Sequence, residues 1–388
     1  MAKPVQQHRG GDQMSGRVKG WCPGALTPMP SGDGLVLRVR PRSGRLTPAQ
    51  MLGLADLAER FGDGAVTLTS RANLQLRAVA PADLEAVQAD LRRLDLIDTD
   101  PAQETRRNIL VSPIWTQGDP TMALAAELAA RLAELPPLPA KFGFAIDTGP
   151  AAILTGASAD LRIERSSSGL ILRAEGMARG EAVPDARAVT RLIALAHWFA
   201  AQPGARRMGL LVGGGARPPL AADAAPLTTP PLRPGPAAPG TCVAAPFGRM
   251  ATDALRAIAV APARPTPWRS LVIEAASPPR HPQAITDPDD PRLRVAVCVG
   301  KPRCSSASVE TMRLARDLAP LVPPGAVLHV AGCAKGCAHP RPADLVLTGR
   351  DGHFDLLRGG RPGDPPQRRS LDPADIAALL KDPHAPSL

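Results

Sequence analysis

Four of the six cysteines in the chain fall into two close pairs, Cys298-Val-Gly-Lys-Pro-Arg-Cys304 and Cys333-Ala-Lys-Gly-Cys337, with 28 residues between the pairs. In a reducing compartment, thiols at such spacings read as metal ligands before they read as disulfide partners. Each pair begins where an apolar run ends: Arg292-Leu-Arg-Val-Ala-Val runs into Cys298, and Ala326-Val-Leu-His-Val330 stops just short of Cys333. Loops after two buried strands can bring four thiolates together from several directions, which a 4Fe-4S cubane needs. Zinc is the competing ligand, although structural zinc sites favour C-x2-C knuckles tighter than a gap holding Lys and Pro. Gly332 and Gly336 bracket the second pair, a pattern that four unrelated core cysteines do not predict. Cys22 and Cys242 are left over. Packing as small buried hydrophobes is the expectation for both, with iron ligation the alternative for Cys22. His339 follows the second pair as a possible ligand, with a hydrogen-bonded surface histidine as its bland counterpart.

Composition narrows what such a centre could serve. A chain of 388 residues can hold two or three domains with cores of their own, so the cysteines are not needed as staples. No stretch approaches the ~20 apolar residues of a membrane span. The N-terminus is polar and lacks an apolar signal segment, so the expected location is cytoplasmic, with no membrane partner. Net charge is +10, but the arginines are scattered, aromatics make up 3% and Tyr is absent, a poor basis for nucleic-acid binding. Arginines suit a polycarboxylate ligand, because the guanidinium fork grips carboxylates in a bidentate way. A basic surface kept for solubility explains the charge equally well.

The elements that must position these residues can be read from periodicity. Gly34-Leu-Val-Leu-Arg-Val-Arg40 alternates Leu35, Leu37 and Val39 on one face, as a half-buried strand does. Thr47 predicts a helix cap, with Gln50 reaching back and Pro48 in the first turn. The layout then returns. Gly44-Arg-Leu-Thr-Pro-Ala-Gln-Met-Leu-Gly-Leu-Ala55 is echoed by Gly248-Arg-Met-Ala-Thr-Asp-Ala-Leu-Arg-Ala-Ile-Ala259, and Thr69-Ser-Arg-Ala-Asn-Leu-Gln-Leu76 by Thr266-Pro-Trp-Arg-Ser-Leu-Val-Ile273. Two copies of one supersecondary unit therefore open the two halves of the chain. Helices are expected over 121–135, 185–201 and 307–318, strands over 143–147, 161–164 and 170–174, and a hairpin turn at Asp351-Gly352. The stretch 216–240, rich in Pro, Ala and Gly, reads as a linker or long surface loop. Gly213-Gly-Gly215 leads into prolines and carries no dinucleotide fingerprint.

The pattern Cys-x5-Cys followed by Gly-Cys-x3-Cys-Ala-x-Pro resembles the cluster motif of the sirohaem-dependent sulfite and nitrite reductases. Thr69-Ser-Arg-Ala-Asn-Leu-Gln75 resembles that family's first Arg motif, Arg107-Asn108 its second, and Leu138-Pro-Ala-Lys-Phe-Gly143 the segment of its pocket lysines. The resemblance implies an α+β fold of duplicated ferredoxin-like half-domains, each followed by an α/β domain. The implied boundaries are 15–100 for the first half-domain, 101–215 for its α/β domain, 216–240 for the linker, 241–285 for the second half-domain and 286–388 for the cluster-bearing α/β domain. It further implies a 4Fe-4S cluster on Cys298, Cys304, Cys333 and Cys337, and a second iron site, either sirohaem bridged by Cys337 or non-haem iron. Substrate or cofactor contacts are implied for Arg71, Asn73, Gln75, Arg77, Arg107 and Lys141. No general acid, base or nucleophile can be assigned.

One departure bears on substrate. The reductases carry a second Lys two positions after the first, whereas Lys141 is followed by Phe142 and Gly143. A pocket short of one cation stabilises a small oxyanion less well. Gly20-Trp-Cys-Pro-Gly24, Ser31-Gly-Asp-Gly34 and Thr266-Pro-Trp-Arg-Ser-Leu271 resemble instead a branch of the family that acts in aerobic cobalamin biosynthesis. That implies a monooxygenase acting on a tetrapyrrole, precorrin-3A, by ring hydroxylation and lactone formation, with O2 and an electron donor (NADH or a reductase) as partners. Sulfite or nitrite reduction is the alternative activity, and a non-catalytic electron carrier or zinc-stabilised binding protein the alternative class.

Overall fold

The structure is a computed structural model in which residues 23–381 are described. Cys22 and the start of its Trp-Cys-Pro-Gly motif lie outside the described residues. Among the described residues no helix is long and apolar enough to cross a membrane.

In chain order, β1 (Met29–Ser31) and β2 (Gly34–Val39) form a hairpin, α1 (Pro48–Phe61) crosses the sheet, and β3 (Ala65–Leu68) and β4 (Leu74–Val79) complete it, with α2 (Leu84–Arg93) behind. The Thr47–Gln50 capping box forms as the sequence predicts, with Thr47 Oγ1 accepting from Gln50 N at 3.2 Å and Gln50 Oε1 accepting from Thr47 N at 2.9 Å. Next come α3 (Pro101–Arg106), β5 (Ile109–Val111), α4 (Thr121–Ala130), β6 (Phe144–Asp147), β7 (Leu161–Ser166), β8 (Gly169–Ala174), β9 (Glu181–Ala182), α5 (Asp185–Ala200) and α6 (Met208–Gly213). Here β5, β6 and β7 run parallel and β8 and β9 return antiparallel, with α4 and α5 burying apolar faces against the sheet.

The second half repeats both layers. A half-domain sheet is built from β10 (Gly235–Ala237), β11 (Gly240–Ala244), β13 (Ala263–Pro265) and β14 (Ser270–Ile273), with β12 (Arg249–Ala251) and α7 (Thr252–Ile258) between its second and third strands. The last sheet joins β15 (Val295–Val297), β16 (Leu328–Ala331), β17 (Ala343–Arg350), β18 (His353–Gly360) and β19 (Arg368–Leu371), flanked by α8 (Met312–Leu318) and α9 (Pro373–Lys381). Its strand directions match those of the first α/β sheet, parallel twice and then antiparallel. Asp351 (φ 49°) and Gly352 (φ 89°) form the expected left-handed hairpin turn.

The two sequence echoes are structural equivalents. Ser43-Gly44 and Phe247-Gly248 both adopt left-handed backbone before the repeated segment, and Ala72 and Arg269 do so inside the second echo. Each repeated segment then crosses to the other half's sheet. Strand β12 pairs with β3, Met250 opposite Val66, while Leu46, at the position equivalent to Met250, bridges Ala263 of β13. One hydrophobic core therefore runs through both half-domains, from Leu37, Leu54 and Leu74 to Met250, Leu255 and Leu271.

Two expectations need correction. The helix expected over 307–318 begins only at Met312, because the preceding chain turns its hydrogen bonds inward: Lys301 N donates to Val309 O at 2.8 Å and Ser308 N to Gly332 O at 3.1 Å. The segment 216–240 is no free linker. Ala224, Pro226 and Thr228 form bridges with Gly180, Ser166 and Ala152, and its end becomes β10, so the second half-sheet starts before the expected boundary at 241. Prolines are tolerated there because isolated edge bridges leave donors unneeded.

Two charge arrangements stand out, one between the halves and one inside the first α/β domain. Glu274 accepts bidentate bonds from Arg45 at 2.7 Å and one from Arg264 Nε at 2.8 Å, while Arg264 also lies 3.7 Å over the Trp115 ring and donates to the carbonyls of Pro113 and Trp115. The Arg45 hydrogen bond, then that of Arg264, holds Glu274 down at about 2. In the first α/β domain, burial lifts Asp147 from 3.8 to about 6, although Leu154 N donates to its Oδ2 at 2.6 Å.

Glu274→Ala strands Arg264, whose side chain is 4% exposed, and urea titration is expected to show a loss of about 3–5 kcal/mol, as for a broken buried pair. Because the folded value of Asp147 lies above its unfolded one, the folded chain retains a proton that the unfolded chain releases. This contribution is complete below pH 3.8 and lost as pH rises through about 6. Asp147→Asn should accordingly melt higher than the parent at pH ~8 and match it at pH ~4; identical melting at both would show that the carboxylate carries no such cost.

Candidate functional site

Strands β15 and β16 are parallel neighbours, so the loops at their C-terminal ends open on the same edge of the sheet. Cys298 directly follows β15 and Cys333 follows β16 by two residues. The first loop is pinned by Thr311 Oγ1, which donates to Cys298 O at 2.6 Å, and by Cys304 N, which donates to Gly300 O at 2.8 Å. Gly332 N donates to Cys298 Sγ at 3.1 Å, and Lys335 Nζ to Ser306 Oγ at 2.9 Å, tying the loops together. A Cβ on Gly332 would stand 2.7 Å from that of Ala307, so only glycine permits this approach. Burial raises the Cys337 thiol, and Cys333, Cys298 and Cys304 raise it further.

Cys337 therefore stands within electrostatic reach of the other three thiols. Among the described residues no group of three or more His, Cys, Asp or Glu converges closely enough to share one metal ion. A cubane presents a separate iron to each of four thiolates, so its ligands need not converge on one point, and a backbone N–H to sulfur is a usual companion. By donor chemistry, four cysteines on two loops tied together at one edge of the sheet, these residues fit a cluster.

Cys298 and Cys337 line a cavity of about 290 Å³ whose other walls come from both half-domains: Arg38, Thr67, Thr69, Gln75 and Arg77 from the first, Phe247, Arg249 and Arg269 from the second. Arg38 on β2 stands opposite Gln75 on β4. Arg77 Nη2 donates to Ser31 Oγ at 3.0 Å and lies 3.4 Å from Asp33 Oδ1, and Arg249 reaches across to Asp63 at 2.7 Å. Arg269 donates to Ala338 O at 2.7 Å, and burial lowers its pKa. Among the described residues neither Arg38 nor Arg269 has a carboxylate partner, and no Asp or Glu lines the cavity. Buried Arg38 Nε and Arg77 Nε have no hydrogen-bond acceptor. Desolvated guanidiniums in this state are costly unless an anion meets them.

The structure gathers some expected residues here and not others. Gln75 and Arg77 line the cavity with Cys298 and Cys337. Arg71 turns away, donating to Lys141 O at 3.0 Å and Ser158 Oγ at 3.2 Å. Arg107 is buried and bound to Asp98 at 2.9 Å and to Arg40 O at 2.8 Å; with Asn73 it lines a separate void of about 20 Å³, room for one water. A Cβ at Gly143, where the reductases carry their second pocket lysine, would stand 2.7 Å from Asn108 Nδ2, which is bonded to Phe142 O, so a side chain there would displace that amide. Cys242 is buried and donates to Ser270 Oγ at 3.3 Å. His329 on β16 is wholly buried with neither ring nitrogen bonded, edge-on to His339 at 5.8 Å, and burial lowers its pKa to about 4.

Sequence reasoning missed Arg38, Arg249 and Arg269. Period-2 alternation marks Arg38 only as the polar face of a strand, and nothing local tells that this face looks into a cavity. The echoes held a usable signal at one of the three: Arg269 stands where the first copy has Ala72, whereas Arg249 has an arginine, Arg45, as its counterpart.

Residues 27–94 match the nitrite/sulfite reductase ferredoxin-like half domain. The chain is 29% identical over 403 aligned residues to a precorrin-3B synthase of Sinorhizobium sp., covering 88% of this chain and 83% of that one. A ferredoxin–nitrite reductase of Leptolyngbya laminosa is 33% identical over 95 residues, 24% of this chain and 18% of that one. The NirA protein of Mycobacterium tuberculosis shares the fold with a TM-score of 0.60 at 18% identity, covering 89% of this chain and 79% of that one. The chain is thus a homologue of precorrin-3B synthase that carries the nitrite/sulfite reductase ferredoxin-like half domain.

Proposed function

We propose that this chain is a cytoplasmic iron–sulfur monooxygenase that converts precorrin-3A into precorrin-3B in aerobic cobalamin biosynthesis. The ring carbon gains a hydroxyl from O2 and an acetate arm closes a lactone, while an electron donor, NADH or a reductase, supplies the reducing equivalents that turn the other oxygen atom into water. The observation that carries this reading is the cavity that combines Cys298 and Cys337 with four arginines and no carboxylate. A tetrapyrrole with many carboxylate arms is the ligand such a surface needs.

Cys298, Cys304, Cys333 and Cys337 are the proposed holders of a 4Fe-4S cluster. Bound there, the cluster would supply single electrons, and a second iron, as non-haem iron or as sirohaem with Cys337 as bridge, would supply O2 chemistry. The protein's own part is to bind and orient. Arg38, Arg77, Arg249 and Arg269 take carboxylates, and Gln75, Thr67 and Thr69 offer neutral hydrogen bonds beside them. Arg71 and Lys141, held together at the neighbouring wall, and Asn73 and Arg107, behind it, act as supports in this reading. Sulfite or nitrite reduction is the second reading, and the absence of a second lysine at Gly143 disfavours it.

Anaerobically purified protein is expected to be brown without a Soret band and to contain about four acid-labile sulfides per chain, with iron in excess of the cubane. A strong Soret band would favour sirohaem and the second reading. Cys333→Ser should remove the brown absorption and the sulfide while leaving the far-ultraviolet dichroism of the fold; retained sulfide would remove Cys333 from the ligand set.

A further inference from the structure

A second cavity, of about 500 Å³, adjoins the first and shares Phe247, Arg249 and Met312 with it. Its walls add Arg292, Arg303, Arg316 and Gln283, and again no Asp or Glu lines it. Two carboxylates stand behind the walls. Asp63 is shared by Arg249 at 2.7 Å and Arg303 at 3.4 Å, and Asp290 holds Arg292 at 2.6 Å. Four guanidiniums against two carboxylates leave the groove cationic, and among the described residues Arg316 has no partner at all. Asp63 keeps one buried oxygen, Oδ1, unbonded.

The inner cavity alone falls at the bottom of the size range for drug-sized ligands, about 300–1,000 Å³, and a tetrapyrrole with its side arms is larger. We propose that the outer groove is a carboxylate subsite, in which Arg303 and Arg316 bind acetate and propionate arms of a tetrapyrrole whose ring occupies the inner cavity. This rests on the tetrapyrrole reading above and adds to it a basis for selecting substrates by the number of their carboxylates. Phe247 makes the join possible. Its left-handed backbone, φ 57°, is unusual for a bulky residue and turns the chain so that Arg249 follows it into the shared wall. Arg303 is also the residue before Cys304, so an arm bound in the groove touches the loop that carries a cluster thiol.

The test uses the full chain, purified anaerobically, and two metal-free tetrapyrroles followed by fluorescence quenching: the octacarboxylate uroporphyrin III and the tetracarboxylate coproporphyrin III. The parent should bind uroporphyrin about tenfold tighter, equivalent to one or two charge-assisted contacts. Arg316→Gln and Arg303→Gln should each erase most of that preference with coproporphyrin affinity little changed, whereas Arg38→Gln, in the inner cavity, should weaken both alike. Because Arg316 is exposed and without a partner, its variant folds irrespective of the outcome. An undiminished preference in both groove variants would overturn the subsite and leave the tetrapyrrole reading standing. Failure of the parent to bind either porphyrin would overturn that reading and the subsite with it.

Discussion

Each half-domain finishes the other's sheet, and most of the architecture depends on that exchange. The segment after Phe247-Gly248 leaves its own half to pair with β3, and the segment after Ser43-Gly44 does the reverse through Leu46 and Ala263. Backbone hydrogen bonds that one half needs are held by the other, and the core beneath them is common to both. The halves therefore cannot slide relative to each other without exposing apolar surface and unpaired amides. That rigidity is what allows a cavity to be assembled from both halves, with Arg38 and Arg77 on one side and Arg249 and Arg269 on the other.

Duplication also shows how one of two equivalent places came to be open. Where the first copy sets Arg38 opposite Gln75, the second sets Cys242 opposite Val272, an apolar pair. Where the first copy has Arg77, the second has Glu274, which binds the counterpart of Arg249, namely Arg45, together with Arg264. The same scaffold thus carries a closed version of the surface, in which both arginines are bound to one carboxylate, and an open version in which Arg38 and Arg269 have none among the described residues. The α/β layers differ in like fashion: Ser112 takes the place after β5 that Cys298 takes after β15.

Much of this was legible in the sequence where local chemistry decides the outcome. The Thr47–Gln50 cap, the Asp351-Gly352 turn and the two echoes each follow from a few neighbouring residues, and each appears in the structure. Long-range pairing decided the rest. The start of α8 moved to Met312 because the loop before it bonds to Gly332, far along the chain, and the proline-rich segment found edges that no periodicity announces. Arg107 read as a ligand contact and is held by Asp98, a partner that motif matching does not see. For the cavity the reverse held: Arg38 and Arg249 look like ordinary strand polarity until the sheets are brought together.

The turn between β1 and β2 leans on the loop of Cys304, where a Cβ on Gly32 would stand 2.5 Å from Ser305 N. Gly32 and Ser305 are 273 positions apart in the sequence, so the ribosome makes one long before the other. The turn can reach its final neighbour only after the Cys304 loop has emerged, and domains otherwise settle in the order of their synthesis. The pocket behind Cys304 is consequently a late event in the life of each molecule.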